Sequence, residues 1–167
     1  MTIDVNRRFY KEAAAVAVTG GWGIALDGKT VRTPAKNRLV LQSRALAEAI
    51  AAEWNAQGAK VKPGTMPLMQ IASTAIDRVA PERARIVAET AAYAGTDLVC
   101  YRAEGPSPLV RRQAEIWDPL IDWVRERFDV SLVTASGVMA IPQSEPGLAA
   151  LGRVVEAQDD LRLTALS

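Results

Sequence analysis

The 167-residue sequence predicts an α+β protein, a small antiparallel β region followed by helices, and three observations carry that expectation. Residues 13–41 alternate short apolar runs with turn signals, of which Gly20-Gly21 and Asp27-Gly28 are the sharpest. From Ser43 onward the apolar residues fall at helical spacing. Charge divides at the same place: residues 1–42 hold seven basic and three acidic residues, a net of +4, against 13 and 16, a net of −3, over residues 43–167.

The β region is expected to read as the run KEAAAVAVT closed by the double glycine, then WGIAL, the Asp27-Gly28 turn, TVRT, the PAKN loop and RLVLQ. Ala13–Val18 is apolar throughout and has no period of its own; the double glycine behind it and the alternation beyond favour a strand over a helix. Ser43 is suited to cap a helix with Leu46, Ala49, Ile50 and Trp54 on one stripe and Gly58 as its stop. The connector KVKPGTMP leads to a second helical run through Leu68, Ile71, Ala72, Ala75 and Ile76, which Ala80-Pro81 interrupts. Pro81 then opens a helix reaching Gly95, and TDLVCYR reads as a short helix or turn.

Ser107-Pro108 joins a capping residue to a proline at the first helical position, opening a helix to about Phe128. Its inner stripe is Trp117, Ile121, Val124 and Phe128, with Pro119 expected to kink it rather than stop it. Residues 130–142 are expected to be extended, and Glu145-Pro146 opens a last helix. Trp54 and Trp117 lie on apolar stripes and are expected in the core, whereas Trp123 lies near a stripe's edge.

Composition closes several functional classes. At 49% hydrophobic residues the chain can bury a core without disulfides or metal, and its single cysteine, Cys100, points to a reducing compartment. There is no histidine, which removes the commonest metal ligand and the commonest general base together. Zinc sites, Ser-His-Asp triads and Cys-His dyads are thereby excluded in their standard forms. An overall charge of +1 gives no field that would draw nucleic acid. No apolar stretch approaches the ~18 residues that span a bilayer, and the start MTIDVNRRFYKE lacks the apolar region of a secretory signal. The expectation is an intracellular protein without membrane insertion.

Four patterns invite a chemical reading. Gly23–Thr30, GIALDGKT, fits the phosphate-loop pattern GxxxxGK[ST], in which Lys29 would neutralise phosphate and Thr30 would hold magnesium. Its interior, however, alternates like a strand and ends in Asp27, and Pro34 and Asn37 prevent a long helix after Thr30. A hairpin turning at Asp27-Gly28 accounts for the same letters. Arg7–Lys11 interleaves basic and aromatic residues as nucleic-acid binders do, but reads more simply as a solvated β lobe with Phe9 and Tyr10 packed beneath it. Glu115, Asp118, Asp122 and Glu126 recur at helical intervals, as the wet face of an amphipathic helix does. Cys100, between Val99 and Tyr101, is a small buried apolar residue by the same reasoning. What remains distinctive is tryptophan and arginine, the residue types that anchor protein interfaces.

Six strings resemble one family in collinear order: RFYKEA at 8–13, LDGKTVRTPAKNRLVL at 26–41, LAEAIAAEW at 46–54, MPLMQIASTAID at 66–77, YAGTDLVCYR at 93–102 and WDPLIDW at 117–123. The family is that of the assembly chaperones for the alpha subunit of the F-type ATP synthase catalytic sector. The resemblance implies a non-enzymatic chaperone without cofactor or small-molecule substrate, which binds the unassembled alpha subunit and yields it to the beta subunit. It also implies a β-containing N-terminal domain, here residues 1–62 with one helix, followed by an orthogonal helical bundle, here 63–167. Family members continue for several helices beyond the LRLTALS string, so the resemblance implies that the bundle is incomplete here. The family-like signature residues are Arg32, Thr33 and Pro34, then Gly95, Thr96, Asp97, Cys100, Tyr101 and Arg102, then Trp117, Asp118 and Pro119. Of these, Gly95 is suited to end a helix, Thr96 or Asp97 to cap the next, and Asp118 precedes the kink proline. With no Arg/Ser-rich transit extension before RFYKE, the expected location is the bacterial cytoplasm. The competing readings are a phosphate-loop nucleotide binder and a scaffold module for another protein.

Overall fold

The computed structural model describes residues 7–167, which form a three-stranded antiparallel sheet followed by six helices and a short parallel strand pair. Strand β1 (Ala13–Val18) pairs with β2 (Gly21–Leu26) across the Thr19-Gly20 turn, and β2 pairs with β3 (Lys29–Thr30) across Asp27-Gly28. Both residues of the second turn have positive φ, 47° and 82°, the primed geometry whose twist suits a two-residue hairpin. Asp27 makes this turn a fastener as well: its carboxylate accepts the backbone N–H groups of Lys11 and Glu12 at 2.9–3.1 Å, and these bonds hold its pKa below the ordinary carboxylate value. In β2 the residues from Gly23 to Leu26 are all buried, so the apolar run GIAL reflects a strand covered on both faces.

This geometry corrects the phosphate-loop alternative. Gly23–Thr30 is strand, turn and strand, with no helix after Thr30 whose N-terminus could face a phosphate. The carboxylate that the pattern sets beside the phosphate is the one fastening the turn.

Helix α1 (Arg44–Asn55) opens on Ser43, whose hydroxyl accepts the Leu46 N–H at 3.3 Å, and buries Ala47, Ile50 and Ala51 against the sheet. It stops at Asn55, three residues before Gly58, because the Asn55 amide pairs with both backbone groups of Ala13, at 2.8 and 2.7 Å, and closes the helix end on β1. Helix α2 (Pro67–Thr74) has no cap of its own. The Glu53 carboxylate of α1 accepts the N–H groups of Leu68 and Met69 at 2.8 and 2.9 Å, placing negative charge where the α2 dipole favours it. Past Thr74 the helix widens into a π turn over Ala75–Val79, where the Ala80 N–H reaches back to Ala75 O.

The chain divides into two compact units: residues up to Arg83 together with Asp160–Ala165, and Ala84–Asp159 with Leu166–Ser167. The division lies at Arg83 and not at 62, because Met66 and, within α2, Met69 and Ala72 share one core with Tyr10, Ile24 and Ile50. The first unit also takes up most of the short helix α6 (Asp160–Leu166). Its Leu163 is fully buried, its Leu161 packs on that core, and Asp160 pairs with Arg83.

In the second unit, helix α3 (Arg83–Ala92) tightens into a 3₁₀ turn over Tyr93–Gly95, and a further turn at Leu98–Cys100 leads into β4 (Tyr101–Arg102). Helix α4 (Ser107–Phe128) follows, running through Pro119 to Asp129, which turns left-handed at φ 55°. Ser107 does not cap it: Pro106 occupies the capping position and no side chain bonds the first turn, so the start rests on Pro108, whose missing N–H is one the helix end would leave unpaired anyway. The expected extended stretch gives β5 (Ala135–Ser136), parallel to β4, and α5 (Glu145–Glu156) begins where Glu145-Pro146 indicated, capped by Ser144. The expected single last helix is two, α5 and α6, broken at residues 157–159; paired aspartates suit a new first turn better than a helix interior. No helix among the described residues is long and apolar enough to cross a membrane.

Candidate functional site

Arg32, Thr33 and Pro34 belong to the first unit, at a loop held by a residue far along the chain. Thr33 is buried; its hydroxyl donates to the Asp77 carboxylate at 2.6 Å and accepts the Asn37 N–H at 3.0 Å. Asp77 also accepts the Ala35 N–H at 3.0 Å and the Asn37 side-chain amide at 2.9 Å. The π turn supplies this carboxylate. Asp77 carries the usual penalty of desolvation, but the bonds from Thr33, Asn37 and Ala35 outweigh it and hold the pKa below the ordinary carboxylate value. Asp77→Ala is therefore expected to cost about 2 kcal/mol at neutral pH, since it strips three donors of one acceptor. Because the folded-state pKa is depressed, that advantage is full above the unfolded carboxylate value and disappears as pH falls through the folded one. Urea unfolding of both proteins at pH 7 and pH 3 checks this; a gap unchanged at pH 3 counts against it.

With the loop so held, Arg32 and Pro34 are exposed and border an apolar trench. Two hollows of about 420 Å³ each share Val31, Arg32 and Trp54. One continues past Leu26 and Lys29 to Phe9; the other lies over Met66 and Met69. Trp54 is not a core residue as expected but half-buried, its ring edge-on to Tyr10 at 5.5 Å and its indole Nε1 buried without an acceptor among the described residues. It forms the trench wall because α1 ends there. Of the expected buried pair, Tyr10 is buried and donates its hydroxyl to Trp54 O at 2.7 Å, whereas Phe9 is 78% exposed. Arg8 is not presented to solvent phosphate: its guanidinium lies over the Tyr10 ring and donates to the carbonyls of Tyr10, Lys11 and Gln57.

The other signature residues lie together in the second unit. Gly95 ends the 3₁₀ turn, exposed Thr96 follows it, and Asp97 caps the next turn by accepting the Val99 N–H at 3.0 Å. Tyr101 sits half-buried in β4, paired with Ala135. Arg102 is the centre: its guanidinium lies 5.4 Å from the Trp117 ring centroid, binds Asp118 at 2.8 Å and donates to Val99 O at 2.8 Å. Trp117 is thus a half-buried platform for an arginine and not the core residue expected from its stripe. The stripe itself is correct in phase, with Trp117, Ile121, Val124 and Phe128 all half-buried, yet α4 buries no residue fully. Four of its other apolar residues, Leu109, Ile116, Leu120 and Trp123, are 42–55% exposed. Cys100 is buried; desolvation and the Asp97 charge push its thiol pKa up, so it is held protonated and a poor nucleophile. Glu115, Asp118, Asp122 and Glu126 line the exposed face of α4, where arginines engage Asp118 and Asp122.

The two signature groups are therefore an exposed loop beside an apolar trench in one unit and an Arg-Trp-Asp cluster in the other. Residues 7–125, which contain both, match the family described as ATP12 chaperone protein. This chain belongs to the ATP12 chaperone family. The ATP12 assignment extends to three dimensions: Atp12 from Paracoccus denitrificans superposes with a TM-score of 0.93 at 42% sequence identity, over 96% of this chain and 69% of that one. Its D202K mutant superposes equally well, over 96% and 68%. The Atu1473 protein from Agrobacterium tumefaciens gives a TM-score of 0.90 at 38% identity, over 95% and 60%. The resemblance drawn from the six strings is the ATP12 family, and its α+β expectation, a small antiparallel sheet followed by helices, is the fold observed. Membership carries the role of a chaperone in ATP synthase assembly. Sequence reasoning passed over Asp77 and Glu53, the carboxylates that hold the ATP12 loop and α2 in place; each closes or nearly closes one of the apolar strings, which was the available signal.

Proposed function

We propose that this chain binds the unassembled alpha subunit of the F-type ATP synthase, shields the surface that later meets the beta subunit, and is displaced by beta, without enzymatic turnover, in the bacterial cytoplasm. The observation that supports this reading is the ATP12 family match over residues 7–125. An oligomer subunit without its partner exposes apolar interface and aggregates. A holder that binds it more weakly than the true partner suppresses aggregation and gives way by mass action, with no need for nucleotide, metal or nucleophile. Two apolar surfaces suit such a task, the trench beside Arg32 and Pro34 and the outer residues of α4. Thr33, Gly95, Asp97 and the Arg102–Asp118 pair serve to shape these surfaces.

The test is capture with alpha and beta subunits expressed separately. Alpha is expected to co-purify with this chain and beta is not, and added beta is expected to release alpha. Retention of beta but not alpha, or of neither, overturns the proposal.

A further inference from the structure

Strand β3 is one edge of the sheet, and its hydrogen-bonding register fixes what that edge offers. Leu26 faces Lys29 across the turn, and the Val31 N–H is bonded to Ile24 O at 2.8 Å. In an antiparallel ladder successive residues address opposite sides, so Thr30, between them, turns its N–H and C=O away from β2. The hollow beside it is lined by the four consecutive residues Lys29–Arg32. Consecutive residues belong to both faces of a strand and line one hollow only where it follows the strand's edge.

We propose that this trench receives an extended segment of the client, apolar at alternate positions and acidic between them, which pairs its main chain with the outer edge of β3. The inference rests on the chaperone reading above and names the chemistry of the bound segment. Side chains two residues apart on such a segment project to the same side, toward the two hollows that meet at Trp54. Met66 and Met69 form the floor of one, and thioether side chains adapt to differing apolar shapes. Lys29 and Arg32 stand at the rim, and the carboxylate bordering the trench, Asp27, is occupied by the N–H groups of Lys11 and Glu12. With residues 1–42 at a net +4, an acidic segment is attracted and a basic one repelled. The same cations oppose pairing of this edge with a second copy of the chain.

Overlapping 12-residue peptides covering the alpha subunit, labelled for fluorescence anisotropy, test the proposal against wild type, Thr30→Pro, Thr30→Val and Arg32→Glu. Proline removes only an outward N–H and is tolerated at a sheet edge, so thermal melts of Thr30→Pro should match those of Thr30→Val. Apolar-acidic peptides are expected to bind wild type and Thr30→Val alike, and Thr30→Pro and Arg32→Glu at least tenfold more weakly. With the intact alpha subunit bound, amide exchange over residues 29–32 is expected to slow. Peptide binding indifferent to Thr30→Pro and Arg32→Glu, or alpha bound without slowed exchange there, overturns the trench proposal and leaves the chaperone reading standing. Failure of the wild-type chain to capture alpha at all overturns that reading and this one with it. Self-association abolished by Thr30→Pro would assign the edge to a second copy and likewise overturn the proposal.

Discussion

Leu163→Ala is expected to lower stability by about 3–4 kcal/mol, seen as a shift of the urea midpoint with little change in slope. Leu163 is fully buried, and α6, which carries it, has only the residues Asp160–Leu166. A helix that short does not persist by its own hydrogen bonds, so its place in the first unit depends on packing, assisted by the Asp160–Arg83 pair. That pair is partly exposed and contributes far less than the leucine. Truncating the side chain forfeits its buried apolar surface and leaves a cavity in its place, and these two costs set the range. A change below about 1 kcal/mol would show that α6 is an accessory to the unit and not part of its core.

Gly21→Ala is expected to cost about 3 kcal/mol or more, by a different mechanism. Gly21 has φ 148°, and a Cβ there would lie 2.4 Å from the Leu41 carbonyl oxygen and 3.2 Å from its carbonyl carbon. These are backbone atoms, held by the reciprocal bonds between Trp22 and Leu41 at 2.8 Å, so they cannot step aside as a side chain would. Gly28→Ala is the control: its φ is 82° but nothing lies within 4 Å of the added carbon, so it should show only the left-handed penalty, about 1 kcal/mol. Equal effects at the two glycines would show that conformation alone, and not contact with Leu41, sets the cost.

The features legible in the sequence were those governed by local chemistry. Asp27-Gly28 requires positive φ at both positions, Ser43 caps because its hydroxyl is free to bond, and the α4 stripe has a period that the helix must obey. Hydrophobic phase says which face turns inward but not how much covers it, which is why Trp54 and Trp117 read as core and prove half-buried. The fastening of the Thr33 loop by Asp77 joins residues 44 positions apart, and the unit boundary at Arg83 follows from a core that joins Met69 and Ala72 to residues as distant as Tyr10; no local window contains either. The split between α5 and α6 belongs with them, since α6 is claimed by the first unit while α5 stays in the second.

The return of α6 to the first unit has a consequence for how the protein is made. A ribosome delivers the chain in order, so all of Ala84–Asp159 is synthesised between the last residue of the first unit's main stretch and the helix that completes it. At 5–20 residues per second that interval is on the order of 4–15 s. Throughout it the site that Leu163 will fill stands open on a nascent polypeptide, ample time for apolar surface to find a neighbour. A member of a chaperone family thus passes through such a vulnerable interval during its own translation.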